Sequence, residues 1–558
     1  LRVSPPHVIG PTWARTLDGH WFLPQRTLGW GIIDWLYQYV RTPGGDFAGE
    51  GFIPTDEQTR FLLWWYAVDE NGRYAYREGV LRRLKGWGKD PFAAALALAE
   101  LSGPVAFSHF DAAGNPVGKK RHAAWIQIAA VSQDQTKNTF RLFPIMISQQ
   151  LKRDYNLDVN KFVIYAGDGG VIEAVTSSPA SMEGNRPTFV IQNEIQWWGR
   201  GPGGEANDGH EMAAVIKGNV TKIPGSRVLS ICNAHVPGTE SVAELAWDNY
   251  QDVIGGKAVD TGILYDALEA PADTPISEIP SKAEDPEGYE KGVERLRQGV
   301  LIARGDSFWL PIETIIQSIL DTRTPITESR RKFLNQINAA EDSWISPQEW
   351  NLCALPDASH RLKPGDKITL GFDGSKSNDW TGLVACRVSD GMLFVLGVWN
   401  PADEPTGEID RQKVDAVVRS AQQRYDVVGF RADVKEFEAY VDQWGEAFRL
   451  GLKVNASPGN PVAFDMRGNQ KRFAMDCERF KDAVLEGTLF HDGHPSLKQH
   501  VTNAKMFPTT YDAIAIRKAT KESSRKIDLA VCGVLAFGSR QDYLMSKSNR
   551  DEDVIIIR

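Results

Sequence analysis

Apolar residues along this chain gather in short runs separated by polar stretches of helical period. Between about residues 54 and 245, "WIQIAAV" (125–131), "KFVIYAG" (161–167), "TFVIQN" (188–193) and "RVLSICN" (227–233) predict buried strands. Helical patterns such as "PFAAALALAEL" (91–101) fall between them. Strands apolar on both faces, alternating with helices, predict a mostly parallel sheet covered on both sides. Residues 1–50, rich in Pro, Gly and aromatics, predict an irregular arm. The acidic, proline-rich stretch 268–290 predicts a loop, and a helical region follows to about 345.

The pattern changes near "LPDASHRLKPGDK" (355–367). Beyond it, "KITLGFDGS" (367–375), "TGLVACRV" (381–388) and "MLFVLGVW" (392–399) predict three consecutive strands. "YDVVGFRAD" (425–433) predicts a fourth after a helix, which makes a mixed sheet. The expectation is therefore two α/β domains. The first covers 51–345, including a helical region at about 290–345. A linker at 346–366 leads to the second at 367–540, and a tail covers 541–558.

A chain of 558 residues is too long for one hydrophobic core, which agrees with two domains. A net charge of −9 argues against a surface coated throughout with nucleic acid, but leaves room for a local basic groove. Five cysteines without paired or zinc-like spacing predict free thiols in a reducing compartment. No run is apolar enough to cross a membrane, and the first twenty residues lack the apolar core of a secretory leader. The tryptophans, including Trp64–Trp65 and Trp197–Trp198, are expected to pack cores and interfaces. His491, His494 and His500 lack metal spacing, so packing or surface roles are expected.

Two groups of residues carry candidate chemistry. The first is Lys85, Gly86, Trp87, Gly88, Lys89 and Asp90, between a strand and a helix. Glycines let the backbone curl so that several N–H groups face one point, and the helix start and the lysine add positive charge. Phosphate-gripping loops end in Ser or Thr; here Asp90 takes that place. The facing strand "TFVIQNEIQ" ends in Asn193 and Glu194, where such ATPases carry Asp-Glu. The loop gains a carboxylate and the strand loses one. Either the metal-holding charge has moved from strand to loop, or Asp90 caps the helix and Asn193 is a strand-end hydrogen bonder. Glu194 is the candidate that polarises the attacking water. Gln58 is a candidate reader of adenine, and Asn233, after the next strand, a candidate sensor of the γ-phosphate.

The second group is acidic. Asp373 and Asp433 end strands, Asp528 starts an apolar helix, and Asp379 opens the strand after a tight turn. Three carboxylates from two strand ends and a helix start suit two Mg²⁺ or Mn²⁺ ions for phosphodiester hydrolysis, with Asp379 a possible further ligand. Lys518, Arg525 and Lys526, in the basic run 517–526, are candidate contacts to a DNA backbone.

Taken in order, "LKGWGKD", "AAVSQDQTKNTF", "RPTFVIQNEIQ", "ESRRKFLNQINAAEDSWISPQEW", "GFDGSKSNDWTGLVACRV", "FRADVKE" and "SRKIDLAVCGVLAF" resemble the large terminase subunit of tailed bacteriophages. The resemblance implies a P-loop NTPase domain followed by an RNase H-like nuclease domain. It implies ATP with Mg²⁺ in the first and two Mg²⁺ or Mn²⁺ in the second. Lys89 would grip the β- and γ-phosphates and Glu194 would be the catalytic carboxylate. Asn233 would lie in the coupling segment, and Asp373, Asp433 and Asp528 would be nuclease ligands. Implied partners are double-stranded DNA, a portal protein, a small terminase subunit and further copies in a ring, usually pentameric. The implied location is the host cytoplasm and, transiently, the procapsid portal vertex. A repair or replication helicase-nuclease would need helicase motifs after the first domain, and none is found. An assembly scaffold without ATP turnover is kept open by Asp90 and Asn193.

Overall fold

The computed structural model describes residues 7–176, 179–199, 201, 205–321, 323–337, 343–377, 379–509, 513–518 and 525–546. The chain divides into two compact units, 1–338 and 339–558.

The first unit is built on a nine-stranded sheet. Its strands in chain order are β1 (Val8–Ile9), β2 (Glu78–Arg82), β3 (Trp125–Ala129), β4 (Asp158–Val159), β5 (Val163–Tyr165), β6 (Val171–Val175), β7 (Phe189–Asn193), β8 (Arg227–Cys232) and β9 (Ile263–Leu268). Their order across the sheet is β1-β9-β2-β8-β7-β3-β6-β5-β4. From β9 to β6 all neighbours run parallel, and the edge strands β1, β5 and β4 pair antiparallel. Alternate side chains enter opposite layers. Phe189 and Ile191 pack with Leu81, Ile126 and the alanines of "PFAAALALAEL", while Val190 packs with Val80, Val228 and Tyr265. Both faces are buried, which is why these strands are apolar throughout.

Three helices frame the loop at residues 85–90. Helix α1 (Asp56–Trp65) starts with a capping box between Thr55 and Gln58. Helix α2 (Lys89–Ser102) follows the loop directly and is buried along most of its length. Helix α3 (Gln133–Phe140) follows β3 and is capped by Ser132. Residues 7–50 carry more regular structure than the irregular arm expected. Val8–Ile9 extends the sheet, and a helix at Gly29–Tyr39 sends Ile32, Trp35 and Leu36 into the core.

The last part of this unit is helical, ending in α4 (Ile326–Phe333). Asn335, just beyond, is buried in a left-handed conformation with φ 52°. Its amide donates to the carbonyls of Arg82 and Leu268 and accepts from Ala234 N–H, so it joins the ends of β2, β9 and β8.

The second unit has a four-stranded sheet of β10 (Lys367–Asp373), β11 (Thr381–Arg387), β12 (Leu393–Trp399) and β13 (Asp426–Ala432), in the order β12-β11-β10-β13. The first three are antiparallel and β13 runs parallel to β10. This matches the predicted strands and mixed sheet. Helices at Arg411–Arg424 and Glu438–Phe448 cover one face. The other face holds three helices, α5 (Gln470–Leu485), α6 (Pro495–Asn503) and α7 (Asp528–Met545). Helix α7 lies directly on the strands. A Cβ at Gly371 would come within 2.0 Å of the Cys532 carbonyl oxygen, so glycine allows this approach. The segment expected as a linker, 346–366, packs with this unit through Trp350 and Cys353, and Trp344 and Ile345, expected at the end of the first domain, join the same core. Trp344 and Trp350 both stack on Phe480 of α5.

Candidate nucleotide and acidic sites

The loop after β2 is braced from below. Arg83, fully buried, pairs with Glu57 at 2.5 Å and with Asp266, and Trp87 Nε1 donates to Glu57 at 3.0 Å. Burial lifts the Glu57 pKa to about 6, although Arg83 opposes it. Arg82 is equally buried, paired with Glu269 at 3.0 Å. These two arginines therefore hold the loop's base, and Trp87 contributes an anchoring side chain. Lys85 is exposed at the loop's mouth. Gly86 and Gly88 take positive φ, 88° and 95°, which turns the backbone toward the start of α2.

Lys89 is buried, its Nζ donating to the carbonyls of Arg83 (3.2 Å) and Leu84 (3.1 Å). Burial lowers its pKa, and Glu194 and Asp90 oppose that shift. Asn233 donates to the same Arg83 carbonyl at 2.8 Å, so it touches the lysine's anchor. Gln58 is buried and its side-chain carbonyl accepts from Thr55 N–H at 3.2 Å. Only its amide NH₂ is left for a base.

Asp90 and Asn193 stand together. Asp90 Oδ1 accepts from Asn193 Nδ2 and from Thr139 Oγ1, both at 3.1 Å, and Asn193 Nδ2 lies 3.3 Å from Thr139 Oγ1. The hydroxyl absent from the loop is thus supplied from α3. Asn193 Oδ1 is buried without a partner. Glu194 follows in a left-handed conformation, φ 57° and ψ 46°, rare for a residue with a Cβ, and accepts from Gln196 Nε2 at 2.5 Å. Strand β8 lies between β2 and β7, so Asn233 falls between the lysine's strand and the glutamate's strand. Thr139 was not singled out from the sequence, because nothing in "QDQTKNTF" shows which helix face meets the loop.

In the second unit, Asp373 and Asp433 end the adjacent parallel strands β10 and β13, and Asp433 N–H donates to the Phe372 carbonyl at 3.0 Å. Asp528 opens α7 and accepts from Trp380 N–H at 3.3 Å. Asp373 is pushed well above the usual carboxylate range by burial and by the charges of Asp528, Asp433 and Asp379. Burial also raises Asp433, against N–H bonds from Met466 and Val434. Burial lifts Asp528 to about 6, opposed by Lys518. These carboxylates repel one another in one neighbourhood, and hard oxygen donors of this kind suit Mg²⁺ or Mn²⁺. They do not converge: among the described residues no three His, Cys, Asp or Glu side chains are grouped closely enough to hold a metal ion.

Lys518 and Lys526 do not extend into solvent as the basic run predicts. Both pair with Asp379, Lys526 at 2.9 Å. Burial works against ionisation of Asp379, but the two lysines outweigh it and hold its pKa below the usual value. Arg525 is half-buried. Lys518 and Lys526, the candidate DNA contacts, therefore lie on Asp379 beside the acidic residues. His500 is a packing residue, as expected: Nδ1 accepts from Leu529 N–H at 3.0 Å and the ring lies 4.9 Å from Trp380. His491 stacks on Trp350 at 4.2 Å.

No family model matches the chain. Among solved structures it resembles the crystal structure of the HK97 bacteriophage large terminase, with 18% identity, 92% of this chain and 99% of that chain covered, and a TM-score of 0.44. The Gene 13 protein of Mycobacterium phage D29 is 67% identical, covering 100% of this chain and 98% of that protein. The Gene 13 protein of Mycobacterium phage L5 is 68% identical over 585 residues, again covering 100% and 98%. The chain therefore belongs to the family of mycobacteriophage Gene 13 proteins.

Proposed function

We propose that this protein is a terminase large subunit: its first unit hydrolyses ATP to move double-stranded DNA into a procapsid, and its second cuts concatemeric DNA. The observation that carries the reading is the meeting of Lys89, Asp90, Thr139, Asn193 and Glu194 at one end of a parallel sheet. A buried lysine between curled backbone and a strand-end glutamate is what phosphoryl transfer needs: positive charge on the phosphates and a carboxylate near the attacking water. Asp90 would hold the nucleotide's magnesium in place of the missing strand aspartate, with Thr139 supplying the hydroxyl. The chemistry Mg²⁺ would supply there is positive charge against that developing on the phosphates.

In the second unit Asp373, Asp433 and Asp528 would have to draw closer than they stand to hold the nuclease metals, which supply an activated water and a stabilised leaving oxygen when bound. The residues' own part is to present carboxyl groups from two strand ends and a helix start, which give up their protons as a metal binds. Working as a ring on a portal, with a small subunit selecting DNA, belongs to the same proposal and rests on the sequence resemblance.

A packaging assay tests the reading. Procapsids, the phage small subunit, linear DNA and ATP should together yield nuclease-protected DNA. Lys89→Ala should reduce protection to background. Undiminished protection with that variant would remove the first unit from the motor.

A further inference from the structure

Arg331 lies on α4 and is only 6% exposed. Its guanidinium lies over the Trp197 ring, 4.7 Å from the centroid. Its one ion pair among the described residues is with Glu328, at 3.8 Å, beyond hydrogen-bond reach. Among the described residues no hydrogen bond engages its five N–H donors, which leaves the fork open to a ligand. The neighbourhood is the nucleotide pocket. Trp197 closes the short turn that follows Glu194. Lys85 N–H donates to the Lys332 carbonyl at 2.8 Å, which ties α4 to the phosphate loop. Arg331 therefore sits between the loop that carries Lys89 and the strand end that carries Glu194. Glu194 acts electrostatically on both cations. Two neutral acceptors at the same strand end, Asn193 Oδ1 and Gln196 Oε1, are also buried without partners.

We propose that Arg331 is the cation by which this chain grips the terminal phosphate of its own bound ATP. The inference rests on the ATP reading above. The group that lies between a phosphate loop and a catalytic glutamate is the γ-phosphate, and its charge answers an arginine whose single ion pair is long. Stacking on Trp197 fixes the plane of the guanidinium, so that its fork is set for a phosphate. ADP lacks that phosphate. Arg331 thus separates ATP from ADP, whereas Lys89 serves both. As phosphate transfers and charge builds on its oxygens, the same contact stabilises the transition state. The arginine comes from the same chain, so the contact forms without a neighbouring subunit.

The test uses the full chain with Mg²⁺ and measures binding of ADP and of a non-hydrolysable ATP analogue. Arg331→Gln should leave ADP affinity within about twofold and weaken the analogue by about tenfold or more, as loss of a charge-assisted phosphate contact does. Turnover should fall about a hundredfold or more. Arg331→Lys keeps the stem and the charge, and should fold with the parent's melting temperature. It should recover part of the ATP preference but not the turnover. Equal weakening of both nucleotides would mean a merely structural role and would overturn the proposal. So would an unchanged ATP preference in Arg331→Gln, provided the parent binds ATP in a Lys89-dependent way. If the parent shows no such binding, the ATP reading falls and this inference with it.

Discussion

At Asp90 a carboxylate occupies the position where phosphate loops place a hydroxyl, and the neighbouring atoms show how the change is accommodated. Asn193 donates to it rather than repelling it, and Thr139 brings a hydroxyl to the same oxygen. An Asp at position 193 would set two carboxylates against each other. Asn193→Asp alone should therefore lower ATP turnover by about tenfold or more through like-charge repulsion. Adding Asp90→Ser should restore part of it in steady-state ATPase assays; a double variant no better than the worse single one would refute the exchange of roles. Arg83 gives a second residue-scale prediction. Arg83→Leu leaves Glu57 and Asp266 buried without their cation, and should destabilise the first unit by about 3–5 kcal/mol in denaturant titrations. That Asp90 and Asn193 are complementary departures was legible in the sequence because both sit at motif ends; their hydrogen bond was not. Thr139 and Arg331 were not, because polar residues on short helices read as solvated until the packing partner is known.

Individual elements carry the coupling. Asn335 ties three strand ends beside the loop, and its left-handed backbone suits Asn better than Ala. Asn335→Ala should destabilise the first unit by about 2–4 kcal/mol, since it leaves Arg82, Leu268 and Ala234 backbone groups unpaired. Asn335→Gly relieves the backbone only, and should remain destabilised if the hydrogen bonds are what matter. In the second unit His500 holds the start of α7. Burial first, then Lys518 and Lys526, lower its pKa from 6.5 to about 3. The unfolded chain takes the proton at the higher value, so this contribution is complete above pH 6.5 and is lost as pH falls toward 3. Between pH 7 and pH 5 the loss is about 2 kcal/mol. His500→Gln keeps an acceptor for Leu529 N–H and should flatten that pH dependence of unfolding by the same amount. Strands with unbroken apolar runs were legible. Strands β6 and β9 were not, because Glu173 and Asp266 interrupt them. Both are satisfied only in the fold, Glu173 by Trp125 and Gln127, and Asp266 by Arg83.

For the whole molecule, the pattern change in the sequence marked two units with a boundary after 345, and the chain divides at 338/339. The segment expected as a linker, 346–366, is tied to the second core by Trp350 and Cys353. On the proposed reading the two units carry separate chemistry, ATP hydrolysis in the first and strand-end carboxylates for phosphodiester cleavage in the second. The most direct test is a crossed assay on the purified full chain. ATP hydrolysis and Mn²⁺-dependent plasmid cleavage are measured for the parent, Lys89→Ala and Asp373→Ala. Lys89→Ala should lose ATP hydrolysis and still cut plasmid, and Asp373→Ala should hydrolyse ATP and leave plasmid intact. Undiminished hydrolysis in Lys89→Ala, or normal cleavage by Asp373→Ala, would contradict the assignment of that unit.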